Sequence, residues 1–143
     1  MRDSIIVLDF GSQYAHLIAK RFRLLGYYSE IASPGTSIEH LHHAKGIVFS
    51  GGPSSVYEEN VPEFNSEILT LPVPILGLCY GHQLLAKECG AEVGKAPVGE
   101  FGIAQLQKNK ETECPLFKDI DLPAQVWMSH QDAVLSLAQG FEQ

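Results

Sequence analysis

A cysteine stands between two glycines in the segment 77–83, Gly-Leu-Cys-Tyr-Gly-His-Gln, which follows an apolar run at 72–76. The pattern predicts a strand, a sharp turn that carries Cys79, and a helix. The same arrangement exposes the nucleophile in the Gly-x-Ser-x-Gly turn of hydrolases. Free N–H groups at the helix N-terminus favour the thiolate, which is the nucleophilic form of cysteine. We therefore interpret Cys79 as a nucleophile rather than as a small core residue, the usual role of a free cysteine.

Alternating strands and helices dominate the first part of the chain. Apolar runs such as 46–50 are typical of buried parallel strands, and spaced apolar residues before Gly26 predict a helix. This order indicates an α/β fold with a mostly parallel sheet, helices on both faces and a nucleophile elbow. We predict strands at 4–8, 28–32, 46–50 and 72–76, and helices at 13–25, 38–42, 62–71 and 84–89.

Three turns follow predicted strands and contain glycine. They begin at Asp9, Ser50 and Gly77. Sites in parallel sheets form beyond the carboxyl ends of the strands. We therefore expect these three turns to converge on one crevice that contains Cys79.

The pattern changes after Gly90, where strands are predicted at 101–107, 125–128 and 133–137 with no strong helix between them. This spacing favours an antiparallel extension toward the C-terminus. The length of 143 residues suits one domain, and we predict a single domain spanning 1–143.

Composition argues against several classes of function. The formal net charge is −7 and no basic cluster occurs, so binding to nucleic acid or to an anionic membrane has no electrostatic support. The cysteines, at 79, 89 and 114, lack metal-type spacing and suit a reducing cytosol, so we expect a cytoplasmic protein. The cluster at 40–43 contains three histidines, which we expect in solvent rather than on a metal ion.

Taken together, four segments resemble the class I (triad-type) glutamine amidotransferases. They are the opening strand and turn at 7–14, the glycine loop at 50–57, the elbow at 77–83 and the late segment Trp127–His130. Within that family, the first and fourth segments are most similar to the branch that supplies ammonia for GMP synthesis. The similarity covers essentially the whole chain.

The resemblance implies hydrolysis of glutamine to glutamate through a Cys79 thioester, with release of ammonia. Such covalent catalysis divides one difficult step into two. The backbone N–H groups of Gly52 and Tyr80 would form the oxyanion hole. The residues implied in glutamine binding are Gly51, Gln83, Ser129, His130, Gln131 and Asp132. Family members often have glycine where Gln131 stands, so a backbone contact there is a weaker expectation.

The resemblance also implies parts that these residues do not contain. The triad histidine and glutamate lie in a His-Pro-Glu segment, which does not occur here. We therefore expect a C-terminally incomplete amidotransferase domain with weak or no glutaminase activity by itself. No cofactor or metal is expected in this domain, since ATP and Mg²⁺ would serve a partner ATP pyrophosphatase domain or subunit.

Three other interpretations stay open at this stage. The domain could serve anthranilate, aminodeoxychorismate, carbamoyl phosphate or CTP synthesis instead. It could be a non-catalytic module that binds glutamine and regulates a partner. A cysteine hydrolase or chaperone of a related elbow fold is disfavoured, because the glycine loop and Gln83 suit glutamine.

Overall fold

Four parallel strands form a sheet in the first of two compact units, Met1–Cys89 and Gly90–Gln143. The computed structural model describes residues 2–53, 55–56, 62–108 and 114–143, apart from the side chains of 97, 98, 100 and 131. The spatial order of the strands is β2-β1-β3-β4. The strands are β1 (Ser4–Leu8), β2 (Ser29–Ala32), β3 (Ala44–Phe49) and β4 (Ile75–Gly77).

One face of this sheet is covered by helix α1 (Tyr14–Leu24). Ala15 and Ala19 on the helix pack against Val7 of β1 and Val48 of β3, and all four side chains are buried. The small alanines allow the helix to approach the central strands closely. Leu25 follows the helix, and Gly26 has the positive φ of 89° that is typical of a residue after a helix C-terminus.

The opposite face carries an aromatic cluster and helix α2 (Tyr80–Glu88). Side chains alternate along a strand, so Phe49 points away from the face that Val48 presents to α1. Its ring lies 5.6 Å from that of Phe10 and 5.3 Å from that of Phe64, while Phe10 and Tyr80 are 5.3 Å apart. Helices therefore cover both faces, and the predicted α/β fold class is confirmed.

Two glycines let the elbow lie directly on the sheet. A Cβ atom built on Gly77 would be 2.6 Å from the Cα atom of His82, inside the turn itself. A Cβ atom on Gly81 would overlap the Phe49 carbonyl oxygen and lie 2.5 Å from Phe49 Cβ. Real Cβ atoms do not approach other heavy atoms this closely, so both positions require glycine.

The second unit contains an antiparallel pair, β5 (Val93–Leu106) and β6 (Ala124–Val134). The register pairs Phe101 with Ser129 and Ile103 with Trp127, and it shifts between Lys95 and Glu100. The predicted antiparallel extension is therefore present in this unit.

Several predicted boundaries were wrong. The third strand expected at 133–137 is not a separate element: residues 133 and 134 are the end of β6, which continues past the register shift to Val134, and 135–137 are not in a strand. The helix expected at 62–71 is a short 3-10 helix, Ser66–Thr70, started by Asn65, whose side chain accepts a hydrogen bond from the Glu67 N–H.

The strand before the elbow is also shorter than predicted. It covers only Ile75–Gly77 and is half-buried, because β4 is the edge of the four-stranded sheet. The prolines at 72 and 74 lack the N–H that ladder pairing needs, which explains the late start of the strand. No helix in the described residues has the length and apolar character needed to cross a bilayer.

We predict that Gly81→Ala lowers the free energy of unfolding by about 1–2 kcal/mol. Alanine gains helix propensity of about 1 kcal/mol, but overpacking against a strand backbone costs about 1–3 kcal/mol and sometimes more. Urea denaturation measures the net change. Gly35→Ala is the matched control, since its new Cβ would be 3.6 Å from the Glu63 carbonyl oxygen, an ordinary contact. Equal stability of the two variants would contradict the packing argument.

Candidate active site

Cys79 occupies a strained turn between β4 and α2. Its φ of 50° and ψ of −116° lie in a region that non-glycine residues rarely adopt. The side chain is exposed and caps no N–H group of the helix. The following turn is held by the Gly81 and Gln83 N–H groups, which donate to the carbonyl oxygens of Leu78 (2.9 Å) and Cys79 (3.1 Å). The thiol is thus presented to solvent by a backbone that is held on both sides, as the sequence predicted.

The glycine loop after β3 lies directly against this turn. A Cβ atom built on Gly51 would be 3.5 Å from the Cβ atom of Cys79 and 3.8 Å from Ser12 Oγ. A Cβ atom on Gly52 would be 2.7 Å from the Phe10 carbonyl oxygen. The loop is therefore enclosed by the turn after β1 on one side and the cysteine on the other. The expected convergence of the three turns is confirmed.

Ser50 forms hydrogen bonds with all three turns, a role that the sequence did not predict. Its Oγ atom accepts a hydrogen bond from the Phe10 N–H (3.1 Å) and donates one to the Gly51 carbonyl (2.9 Å). Its own carbonyl accepts from the Gly81 N–H (3.1 Å). The available signal was a small hydroxyl residue at the end of a buried strand, where backbone groups of loops need partners.

Two residues that follow Cys79 in the elbow, and for which a function was predicted, are buried. Tyr80 is 3% exposed, and its ring belongs to the aromatic cluster with Phe10. Gln83 is 7% exposed, one turn after Cys79, so it is a buried helix residue rather than a solvent-facing one. The contacts of Gly51, Gln83 and the Tyr80 N–H with a substrate stay predictions.

The late segment predicted to bind the substrate lies on β6 of the second unit. Ser129 is exposed and pairs with Phe101, while His130 and Asp132 pair with Glu100 and Lys95. The side chain of Gln131 lies outside the described part of the chain. Substrate binding by these four residues remains a prediction of the resemblance.

The histidine cluster at 40–43 differs from expectation at one position. His40 and His42 are exposed, but the His43 side chain is only 11% exposed and its Nε2 lies 3.0 Å from Glu30 Oε1. His43 immediately precedes β3, so it lies at the amino end of the sheet, opposite the carboxyl end that carries Cys79. The pair is thus a structural contact remote from the elbow. Within the described residues, no group of three His, Cys, Asp or Glu side chains could hold a metal ion.

Comparison with known proteins decides the family. The family model described as glutamine amidotransferase class-I matches residues 6–143. The chain belongs to this family. The predicted membership is therefore confirmed, and the match includes all three turns and the late segment on β6.

Similar proteins carry a more specific name. The chain is 49% identical to the GMP synthase [glutamine-hydrolyzing] of Trichormus variabilis over 143 residues, which is 99% of this chain and 26% of that protein. It is 47% identical to the enzyme of the same name from Lactobacillus delbrueckii subsp. bulgaricus, over 98% of this chain and 27% of that one. The chain thus spans about a quarter of the length of these relatives.

Solved structures agree with the family assignment. A Thermoplasma acidophilum protein, provisionally assigned as one of the subunits of a GMP synthase, superposes with a TM-score of 0.78 at 28% identity, covering 97% of this chain and 70% of that one. A glutamine amido transferase from Methylobacillus flagellatus gives a TM-score of 0.67 at 17% identity over 98% and 59% of the two chains, which supports the fold alone.

We predict that Cys79→Gly is more stable than Cys79→Ala by about 1 kcal/mol, because only glycine accepts this positive φ without strain. Urea denaturation of the two variants provides the comparison. Cys89 is the matched control, with an ordinary φ of −83° at the end of α2. There the alanine variant should be the more stable one. If glycine gave no advantage at position 79, the elbow would not be strained.

Proposed function

We propose that this chain is the glutaminase part of a GMP synthase, which hydrolyses glutamine and supplies ammonia for the amination of XMP to GMP. The observation that carries the proposal is an exposed, strained Cys79 against a glycine loop, in a chain 49% identical to a GMP synthase over 143 residues. The relatives named GMP synthase favour this branch over the anthranilate, aminodeoxychorismate, carbamoyl phosphate and CTP pathways.

The proposed reaction begins when the Cys79 sulfur attacks the side-chain amide carbonyl of glutamine. A C–S bond forms and the carbonyl oxygen becomes an oxyanion, which the N–H groups of Gly52 and Tyr80 would stabilise. The C–N bond then breaks and the nitrogen takes a proton. Ammonia departs, and a glutamyl thioester of Cys79 remains. Water attacks the thioester and releases glutamate. Each oxyanion donor contributes about 10²–10³ in rate in comparable enzymes.

Glutamine binding would use Gly51, Gln83 and the segment Ser129–Asp132. In the first unit, Gly51 lies against Cys79, and Gln83 is a buried residue one helical turn after the nucleophile. A histidine general base, with its glutamate partner, would come from residues outside these 143. General-base assistance typically contributes about 10²–10⁴.

The use of ammonia would lie outside this chain as well. An ATP pyrophosphatase domain or subunit would activate XMP with ATP and Mg²⁺, so the glutaminase part itself would need no cofactor. The relatives are about four times longer than this chain, which leaves room for such a domain in them. A cytoplasmic location would suit both the substrate and the three free cysteines.

The glutaminase proposal predicts selective labelling of Cys79 by a chloromethyl ketone analogue of glutamine. All three cysteines of the chain are exposed, so accessibility alone would label Cys89 and Cys114 equally well. We expect faster modification of Cys79, read by site-resolved mass spectrometry, and protection of that site by glutamine. Asparagine, shorter by one methylene, is the matched ligand that should not protect. Equal labelling of the three cysteines, or no effect of glutamine, would refute a glutamine pocket.

The GMP branch is tested by a chimaera in which these 143 residues replace the matching quarter of the Trichormus variabilis enzyme. We expect GMP formation from XMP and ATP with either glutamine or ammonium as the nitrogen source. Cys79→Ala should abolish the glutamine reaction and spare the ammonium reaction, whereas Cys89→Ala should spare both. A chimaera that used ammonium but not glutamine would contradict the proposal.

A further inference from the structure

The Ser50 side chain is placed to control the backbone of the glycine loop. It is 0% exposed, and both its hydrogen-bonding functions are used within the protein. Its hydroxyl hydrogen is directed to the Gly51 carbonyl, because the Phe10 N–H already supplies the hydrogen of the other contact. The Gly51 carbonyl oxygen is therefore held toward the interior.

This contact also sets the direction of the neighbouring N–H. The Gly51 carbonyl and the Gly52 N–H belong to one planar trans peptide unit, in which they point in opposite directions. With the carbonyl held against Ser50, the N–H points out of the interior, on the loop that lies against Cys79. Within the part of the chain that is described, the Gly52 N–H makes no hydrogen bond.

The glycines make such control necessary. A peptide between two glycines has no side chain on either side to resist rotation, so it can reverse its direction more readily than other peptides. The space beside Gly52 is limited by Phe10, whose carbonyl oxygen would be 2.7 Å from an added Cβ. Phe10 is itself held by its N–H contact with the Ser50 hydroxyl. One hydroxyl therefore fixes both the peptide and its neighbour.

We propose that Ser50 is a positioning residue that orients the Gly52 N–H toward the oxyanion formed when Cys79 attacks a carbonyl group. The assignment rests on the proposed glutaminase function. Ser50 touches neither the substrate nor the thiol in this role. Its loss should weaken reactions that place negative charge on a carbonyl oxygen and spare reactions of the same sulfur that do not.

Two reagents distinguish a reaction of Cys79 that places negative charge on a carbonyl oxygen from one that does not. The thiolate displaces chloride from the chloromethyl ketone analogue of glutamine, and donors to the ketone oxygen stabilise the charge that develops there. Methyl methanethiosulfonate has no carbonyl group; it transfers a methylthio group to the sulfur and releases methanesulfinate. We expect Ser50→Ala to lower the ketone rate by about tenfold or more, in line with loss of an oxyanion donor. The thiosulfonate rate should be unchanged.

Two buried serines of the same unit provide matched controls. Ser29 is 1% exposed, and its Oγ donates to the Ala19 carbonyl (2.7 Å) and accepts from Arg23 Nε (3.1 Å). Ser4 is 2% exposed, and its hydroxyl has no partner among the described residues. Ser29→Ala removes a comparable pair of hydrogen bonds from β2, and Ser4→Ala removes none. Neither variant should change the ratio of the two rates.

The outcomes distinguish this assignment from the proposed function. If the wild-type chain showed no glutamine-protected labelling, the glutaminase proposal would fail, and the role of Ser50 with it. If the wild type were labelled selectively but Ser50→Ala kept the wild-type ratio, or lowered both rates equally, only the positioning role would be overturned. Should Ser50→Ala not fold, Ser50→Thr retains the hydroxyl and is expected to retain the ketone preference. A folded Ser50→Thr variant without that preference would also overturn the assignment.

Discussion

The close approach of the elbow to strand β3 is the constraint on which the site depends. The start of α2 lies so near the end of β3 that a single methyl group on Gly81 would overlap the Phe49 carbonyl oxygen. Hydrogen bonds then connect the two backbones, from the Leu78 N–H to the Phe49 carbonyl (3.0 Å) and from the Gly81 N–H to the Ser50 carbonyl (3.1 Å). Because the contact is made by backbone atoms, it leaves no room for adjustment. The position of Cys79 relative to the sheet follows from it.

Strain and burial are distributed unequally around this contact. The aromatic rings of Phe10, Phe49 and Tyr80 fill the space beneath the elbow, and such rings bury large apolar areas. That packing can support a strained residue, whose unfavourable backbone conformation typically costs about 1–3 kcal/mol. The Cys79 thiol, the proposed nucleophile, stays exposed above this packed cluster. The buried apolar contacts thus lie one layer below the proposed nucleophile.

Buried polar atoms also have a specific function in this arrangement. A fully buried hydroxyl without partners would be unfavourable, whereas Ser50 satisfies a donor and an acceptor from two different loops. Loops that leave adjacent strands have no ladder to align them. The Ser50 side chain, which lies between the two loops, therefore aligns them. The His43–Glu30 pair is a second polar contact between side chains. It lies at the opposite end of the sheet, where no chemistry is proposed.

The sequence by itself determined the fold class, the elbow and the identity of the residue proposed as nucleophile. These depend on local patterns: an apolar run before Gly77, glycines two residues on each side of Cys79, and a helix ended by Gly90. Only the tertiary structure decided which backbone atoms meet. The role of Ser50 and the burial of Gln83 and His43 depend on contacts between residues distant in sequence. The length of β6 likewise depends on its pairing with β5, and local residue patterns do not carry that information. The late start of β4, by contrast, follows from Pro72 and Pro74, which the sequence already shows.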